Sequence, residues 1–209
     1  WTIRKPQQGG GFFFAPRLHD RGAKTVLGVR IPAGGGEEDG VKVLDLLARQ
    51  PATARFLSRE LATRFVSDNP PAALVDRMTQ EYLNTDGDLR AVVRLMFESK
   101  EFWAPEAYQS KIKSPLEFVA SAARAAEADV TFGFGLAQVV GRLGEPLYRK
   151  AEPTGYSNGS DEWVNSSGLV ARLNFATALA ANRVPGARVD AAKYKESGAV
   201  WGSPAFQKR

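Results

Sequence analysis

From residue 37 onward, apolar positions recur every three or four residues, a spacing that places them on one face of an α-helix. Proline, glycine and asparagine divide this region into about six to eight predicted helices. Residues 1–36 follow another pattern, because two glycine triplets bracket short β-prone runs there. The chain is therefore predicted to be mainly α. We expect one multi-helix domain, orthogonal or bundle-like, over residues 37–209, preceded by a small N-terminal β-ribbon and loop region over residues 1–36.

Two of the predicted helices carry details that a structure can check. The first helix should bury an apolar face that contains Val41, Leu44 and Leu47. A later helix should begin with a capping box, because Ser114 can cap the first turn and Glu117 stands three residues on.

Composition narrows the classes of function. The chain has 209 residues, a formal net charge of +5 and no cysteine, which excludes disulfides, thiolate nucleophiles and cysteine metal sites. Its basic residues are scattered, whereas a nucleic-acid-binding surface concentrates them on one face, so no nucleic acid is predicted as a partner. No apolar run approaches the roughly 20 residues of a membrane span, so none is predicted.

Three short motifs match functional signatures but lack the required context. Residues 155–159 fit G-x-S-x-G, yet the polar segment before them is not the strand that a nucleophile elbow needs. The run from Asn84 lacks the glycine and glutamate of a calcium loop. The glycines from Gly133 lack the strand and third glycine of a dinucleotide site. We predict no metal site and no cofactor, and we expect Ser157 to lie in an exposed loop.

The only histidine, His19, stands beside Asp20 and four residues before Lys24. In a structural interpretation, Asp20 accepts from a backbone N–H in an Asx turn and pairs with Lys24, while His19 bridges the loop to a helix. In a catalytic interpretation, His19 is a general base, with Asp20 and Glu117 as the other proton-transfer groups. The sequence leaves both interpretations open.

A second group of candidates lies in the loop 144–161 and in a long helix predicted from about Asp161 to Asn182, loosened near Gly168. Aromatic side chains there can stack on a ligand. Polar side chains inside so apolar a helix form either a structural network or one wall of a polar pocket. The binding candidates are Lys24, Tyr148, Tyr156, Trp163, Asn165, Arg172 and Asn174.

Eight segments in order resemble the C-terminal part of a bacterial family, the domain of unknown function 1800 (DUF1800). They are WTI, FFFAPRLHDRGAKTVLG, PATARFLSRELATRFVSDNPP, TDGDLRAVVRLMFESKEFW, KSPLEFVASAARA, GEPLYRKAEPTGY, WVNSSGLVARLNFA and GSPAFQKR.

The resemblance implies a longer protein with a helical N-terminal part. We therefore expect this chain to associate with that part, with a partner chain or with a second copy. Export signals are common in the family, which implies a periplasmic or extracellular location. Similar sequences often have histidine before Pro51, where this chain has Gln50, and this weakens a proton-transfer or metal role there.

The resemblance brings no established activity, so two functions stay open. The first is a helical envelope or secreted protein that binds a protein partner or a polysaccharide through the loop 144–161. The second is a hydrolase that uses His19 with nearby carboxylates. His19, Asp20 and Glu117 within hydrogen-bond reach of one solvent-lined cavity would favour the enzyme, and side chains scattered over separate faces would favour binding or scaffolding.

Overall fold

The computed structural model of the protein describes residues 2–5, 7 and 9–209; Trp1, which opens the first of the eight segments, lies outside the described residues. The described residues form nine α-helices and six short strands, so the prediction of a mainly α fold is confirmed. The helices are α1 (Glu37–Ala48), α2 (Pro51–Phe65), α3 (Ala72–Asn84), α4 (Leu89–Glu98), α5 (Pro115–Ala125), α6 (Gly133–Arg142), α7 (Ser166–Ala180), α8 (Ala191–Tyr194) and α9 (Ser197–Trp201). The strands are β1 (Thr2–Ile3), β2 (Phe12–Phe13), β3 (Lys24–Val26), β4 (Val29–Ile31), β5 (Asp129–Val130) and β6 (Ala187–Arg188).

The N-terminal strands form two hairpins rather than the single predicted ribbon. β1 pairs antiparallel with β2, and β3 pairs antiparallel with β4. The run from Thr25 to Ile31 reads as one β-prone segment, but Leu27 and Gly28 have φ values of 49° and 80°. Positive φ at both central residues makes a two-residue hairpin turn, which folds that run back on itself.

Contacts group the chain into two compact units, and each is described by itself below. The first unit contains residues 1–58 and 76–93, and the second contains residues 59–75 and 94–209. The sequence-based division between residues 36 and 37 differs from this grouping. It stays a prediction, because contacts alone do not test which parts fold independently.

The core of the second unit is built from α5, α6, α7 and α9. Phe118 of α5 is fully buried and meets the ring of Phe175 of α7 edge to face, with 5.9 Å between ring centroids. The capping box that begins α5 is confirmed: Ser114 Oγ accepts from the Glu117 N–H, and Glu117 Oε2 accepts from the Ser114 N–H at 2.8 Å. Local sequence thus fixes where α5 starts, and Phe118 fixes which face it buries.

The apolar face of α1 is not buried as predicted. Val41, Leu44 and Leu47 are 47%, 53% and 41% exposed, while the buried residue of this helix is Asp39. The prediction is wrong because apolar periodicity identifies a face without identifying an element that covers it.

The long helix predicted from Asp161 to Asn182 is shorter than expected. Residues Ser160–Glu162 form a single 3-10 turn, and α7 begins only at Ser166 because the Asn165 side chain caps it, accepting from the Gly168 N–H at 2.7 Å. Although α7 is apolar nearly all round, neither it nor any other helix among the described residues is long and apolar enough to cross a membrane.

Candidate functional site

His19, Lys24 and Asp39 form a polar cluster in the first unit. His19 follows a 3-10 turn, Lys24 begins β3, and Asp39 lies in the first turn of α1. His19 Nε2 and Lys24 Nζ each lie 3.3 Å from the same oxygen, Asp39 Oδ2. One buried carboxylate therefore holds both the imidazole and the ammonium group of the preceding loop.

Asp39 is the buried centre of this cluster. The residue is 3% exposed, and its second oxygen, Oδ1, has no hydrogen-bond partner among the described residues. That oxygen packs against Gly35, where an added Cβ atom would overlap it. Burial raises the pKa of Asp39, but hydrogen bonds from Lys24 and His19 and their charges lower it by more, so this pKa lies below its ordinary value. The carboxylate is thus kept ionised.

The loop around His19 has most of the contacts that the structural interpretation predicts. The Gly22 N–H donates to Asp20 Oδ1 at 2.8 Å, which confirms the Asx turn. His19 bridges the loop to a helix through Asp39, and its ring meets Phe14 edge to face at 5.3 Å. Lys24 Nζ donates to the carbonyl oxygen of Asp20 at 2.6 Å, so the predicted pairing across the turn uses the backbone rather than the carboxylate.

Glu117, the other predicted proton-transfer group, belongs to the second unit. Besides its part in the capping box, its carboxylate lies 2.6 Å from Arg64 Nη2 and 3.0 Å from Arg209 Nε. The carboxylate is therefore engaged by two guanidinium groups and a helix start.

In the first unit, Lys24 joins the Asp20 carbonyl oxygen to the Asp39 carboxylate that also holds His19. The Asp20 carboxylate itself accepts from the Gly22 N–H, and no described contact joins it to the imidazole.

Arg172 of α7 forms a structural network inside the second unit. The residue is 2% exposed, Nη1 donates to Gln207 Oε1 at 2.9 Å, and Nη2 donates to the carbonyl oxygen of Lys113 at 2.8 Å. Its guanidinium also lies over the ring of Phe118. These contacts fix the final segment of the chain against α7 and leave no guanidinium face open to a ligand.

The remaining binding candidates differ in their exposure. Trp163 is 6% exposed and packs against Tyr156, whose hydroxyl donates to the carbonyl oxygen of Pro146 at 2.8 Å. Asn174 is exposed on α7. Tyr148 is the fully exposed aromatic residue of the loop 144–161. Tyr156 and Trp163 therefore pack against each other, and Tyr148 is the aromatic candidate that faces solvent.

Charged contacts that the sequence does not signal fix the end of this loop. Lys111 is 3% exposed, forms an ion pair with Asp68 and donates to the carbonyl oxygen of Asn158 at 2.6 Å. Asn158 Nδ2 donates to Glu60 Oε2 at 3.0 Å, and the Ser160 N–H donates to Asp68 at 3.2 Å. The loop is therefore tied to the α2 segment by side chains that lie far away in the sequence.

A groove between α6 and the turn that follows it is the second candidate site. It encloses about 450 Å³ and is lined by Phe134, Gln138, Arg142 and Arg149, with Leu147 among its apolar residues. Phe134 is 60% exposed. Within the described part of the chain, neither guanidinium has an ion pair or a side-chain hydrogen bond. Sequence analysis missed both arginines, because scattered charges at helical spacing resemble an ordinary solvated face.

Neither a metal site nor a serine site stands out among the residues that the structure covers. No group of three or more histidine, aspartate or glutamate side chains there is placed to hold a metal ion. Ser157 lies exposed in its loop, as predicted, and its hydroxyl accepts from the Gly159 N–H at 3.0 Å. That contact closes a local turn and leaves the serine without a described base.

By its structure, the protein is mainly α, with short antiparallel hairpins, a histidine held by a carboxylate and a groove lined by arginine. A family profile described as "Protein of unknown function (DUF1800)" matches residues 1–205. The chain belongs to this family. No curated protein and no solved structure matches it significantly.

Proposed function

We propose that this protein is an exported binding protein whose ligand is an acidic polysaccharide. The ligand lies in the groove between α6 and the following turn. The export signals common in the family support a periplasmic or extracellular location, where such polymers occur. The Asp20 carboxylate closes its own Asx turn and has no described contact with the imidazole, which supports binding over catalysis, because a catalytic set needs its groups aimed into one cleft.

The observation that carries this proposal is a pair of uncompensated guanidinium groups in one groove. Arg142 and Arg149 line the same space, and neither has a described side-chain partner. The planar guanidinium group matches a carboxylate with two parallel hydrogen bonds. Uronic acid residues carry such carboxylates at regular intervals along a chain, so two neighbouring arginines can engage two of them or one from both sides.

The other groups in the groove suit the remainder of a sugar. Phe134 presents a half-exposed ring, on which the apolar face of a pyranose packs by dispersion. Gln138 offers an amide that both donates to and accepts from hydroxyl groups. The groove therefore combines charge, hydrogen bonding and one aromatic face, as expected for a polar ligand of moderate affinity.

Calorimetric titration with a polygalacturonate hexamer tests the proposal. Arg142→Gln and Arg149→Gln should each weaken binding by about tenfold, because each removes a charge-assisted hydrogen bond. Arg59→Gln is the matched control, since Arg59 is exposed on α2 outside the groove and the change in net charge is the same. Absence of polygalacturonate binding, or equal losses in all three variants, would contradict the proposal. The proposal would also be contradicted if the wild type captured a protein partner and both groove variants still captured that partner.

One observation favours a second function, hydrolysis by His19. A buried, ionised Asp39 holds the imidazole at Nε2, and such a carboxylate fixes the tautomer and orientation of a general base. Assays on chromogenic esters and glycosides test this function with His19→Ala and Asp39→Asn. Turnover that both variants abolish and Ser157→Ala retains would establish it, and turnover unaffected by either would refute it.

A further inference from the structure

An exposed tryptophan after α4 stands out from the other tryptophans of the second unit. Trp103 is 74% exposed, whereas Trp163 and Trp201 are 6% and 5% exposed. Tryptophan is highly buried in most proteins, because its large apolar ring gains much from leaving water. An indole ring that stays in water therefore calls for a physical reason.

Trp103 is held in place although it is exposed. Its Nε1–H donates to the carbonyl oxygen of Phe97 at 2.7 Å, and its ring meets that of Phe102 edge to face at 5.2 Å. Phe102 in turn meets Phe97 at 4.8 Å, and Phe97 meets Phe65 of α2 at 6.0 Å. A continuous row of aromatic contacts thus holds the indole, and Phe97 and Phe65 in this row are themselves 39% and 42% exposed.

The turn that carries the indole is also fixed by hydrogen bonds. Ser99 is buried, its hydroxyl donates to the carbonyl oxygen of Met96 at 2.7 Å, and the same hydroxyl accepts from the Phe102 N–H at 3.3 Å. These bonds set the direction in which the chain leaves α4. The indole therefore loses its conformational entropy when the protein folds, so binding of a ligand does not have to order it.

The geometry points to a stacking platform: we propose that Trp103 binds the apolar face of a pyranose ring in a neutral segment of polysaccharide. The indole N–H is already used inside the protein, so the carbon faces of the ring are what it offers to a ligand. Axial C–H groups of a sugar pack against such a face by dispersion and need no polar group from it. Tyr108, 77% exposed and five residues on, supplies a second aromatic ring on the same turn segment.

The surroundings of Trp103 favour a sugar over a protein partner. A stable protein interface buries roughly 1,200–2,000 Å² and centres its tryptophan in a well-packed, desolvated patch. Here the neighbouring Lys100 and Glu106 are exposed and charged, and Gln109 Nε2 lies 3.4 Å from the Tyr108 hydroxyl. Amide, ammonium and carboxylate groups on the same short segment as the indole can hydrogen-bond the hydroxyl groups of a sugar ring.

Titration with cellohexaose, laminarihexaose and maltohexaose tests this site, with binding followed by calorimetry and by tryptophan fluorescence. A Trp1→Phe background leaves Trp103 as the exposed tryptophan, since the other two are buried. Binding of at least one hexasaccharide should shield the exposed emission from iodide quenching. Trp103→Ala should weaken that binding by about tenfold or more, and Trp103→Tyr, which keeps an aromatic face, should retain most of it.

The site extends the proposed function and can fail separately from it. Arg142→Gln should leave binding of the neutral hexasaccharide unchanged, and Trp103→Ala should leave polygalacturonate hexamer binding unchanged. The platform is overturned if no hexasaccharide protects Trp103 from iodide, or if Trp103→Ala binds as tightly as its parent. It is also overturned if Trp103→Ala abolishes capture of a protein while every sugar fails to bind. If Trp103→Ala unfolds, iodide protection in the parent and the affinity of Trp103→Tyr decide the question.

Discussion

The two units hold their buried charges in different ways. In the second unit, Lys111 joins irregular segments to one another and Arg172 joins α7 to irregular segments. Their positive charges meet carbonyl oxygens, the Asp68 carboxylate and the Gln207 amide oxygen. In the first unit, Asp39 receives His19 and Lys24 on one oxygen and leaves its other oxygen without a described partner. The networks of the second unit serve stability, whereas the cluster of the first unit keeps an imidazole in a defined place near the surface.

This difference teaches that burial of charge alone does not mark a functional site. Arg172 is as deeply buried as Asp39, yet its contacts account for it without a ligand. The informative groups are those that remain available after the internal contacts are counted: the guanidiniums of Arg142 and Arg149, the faces of Trp103 and the imidazole of His19.

The largest effect is expected for Arg172→Ala. The change leaves Gln207 Oε1 and the Lys113 carbonyl oxygen without the guanidinium and opens a cavity beside Phe118, so the free energy of unfolding should fall by about 3–5 kcal/mol. Urea denaturation measures this loss. Arg124→Ala is the control, since Arg124 is exposed and its replacement should change the free energy of unfolding by no more than about 0.5 kcal/mol. A loss below about 1 kcal/mol would show that the second unit does not depend on this network.

Lys111→Met should lower the free energy of unfolding by about 2–3 kcal/mol. The loss is smaller than for Arg172→Ala, because water can reach part of the Asp68 carboxylate that is left without its partner. Burial raises the pKa of Asp68, but Lys111 and Ser160 lower it by more. A lowered pKa contributes stability that is present above the unfolded value of about 3.9 and is lost as pH falls through the folded value. Stability measured from pH 6 down to pH 2 should fall less steeply in Lys111→Met, and an unchanged slope would contradict this account. Lys100→Met is the exposed control.

In the first unit, His19→Ala should lower the free energy of unfolding by about 1–3 kcal/mol through groups left unpaired. Thermal unfolding beside the wild type measures the change. Leu18→Ala is the neighbouring control, since that side chain is 82% exposed and should contribute little. Unchanged stability together with lost turnover would move His19 from a structural role to a catalytic one, and would sharpen the contrast between the units.

The smallest effect is expected for Ser157→Ala, within about 0.5 kcal/mol, because the residue is exposed and its hydroxyl closes a single local turn. A fluorophosphonate probe should leave the wild-type serine unlabelled. Labelling that Ser157→Ala removes would revive the nucleophile elbow and place chemistry in the second unit.

Local signals were sufficient for several parts of the fold. The start of α5 follows from Ser114 and Glu117, which stand three residues apart, and the Asx turn follows from Asp20 before Gly22. Asp88 caps α4 in the same local way, since Asp88 Oδ1 accepts from the Arg90 N–H at 2.8 Å. Each of these contacts spans no more than three residues, so the sequence alone contains both partners.

Contacts between residues far apart in the chain could not be predicted from the sequence. Asp39 stands 20 residues from His19. It lies in an acidic run at a helix start, where carboxylates are common for reasons of helix dipole alone. The glycine triplet before it, which includes Gly35, was the available sign that something packs closely there. Lys111 likewise meets Asp68 across 43 residues, and no pattern in either segment identifies the other.

The anchoring of the loop 144–161 has a consequence for limited digestion. Hydrogen bonds at Asn158 and Ser160 hold its end, and Glu145 holds its beginning by accepting from the Leu116 N–H at 2.8 Å. Between these points Arg149 is exposed, so a protease that cuts after basic residues can nick the loop there. The two pieces would separate on a denaturing gel yet elute together from a sizing column, because the side chains that pin the loop do not require an unbroken backbone.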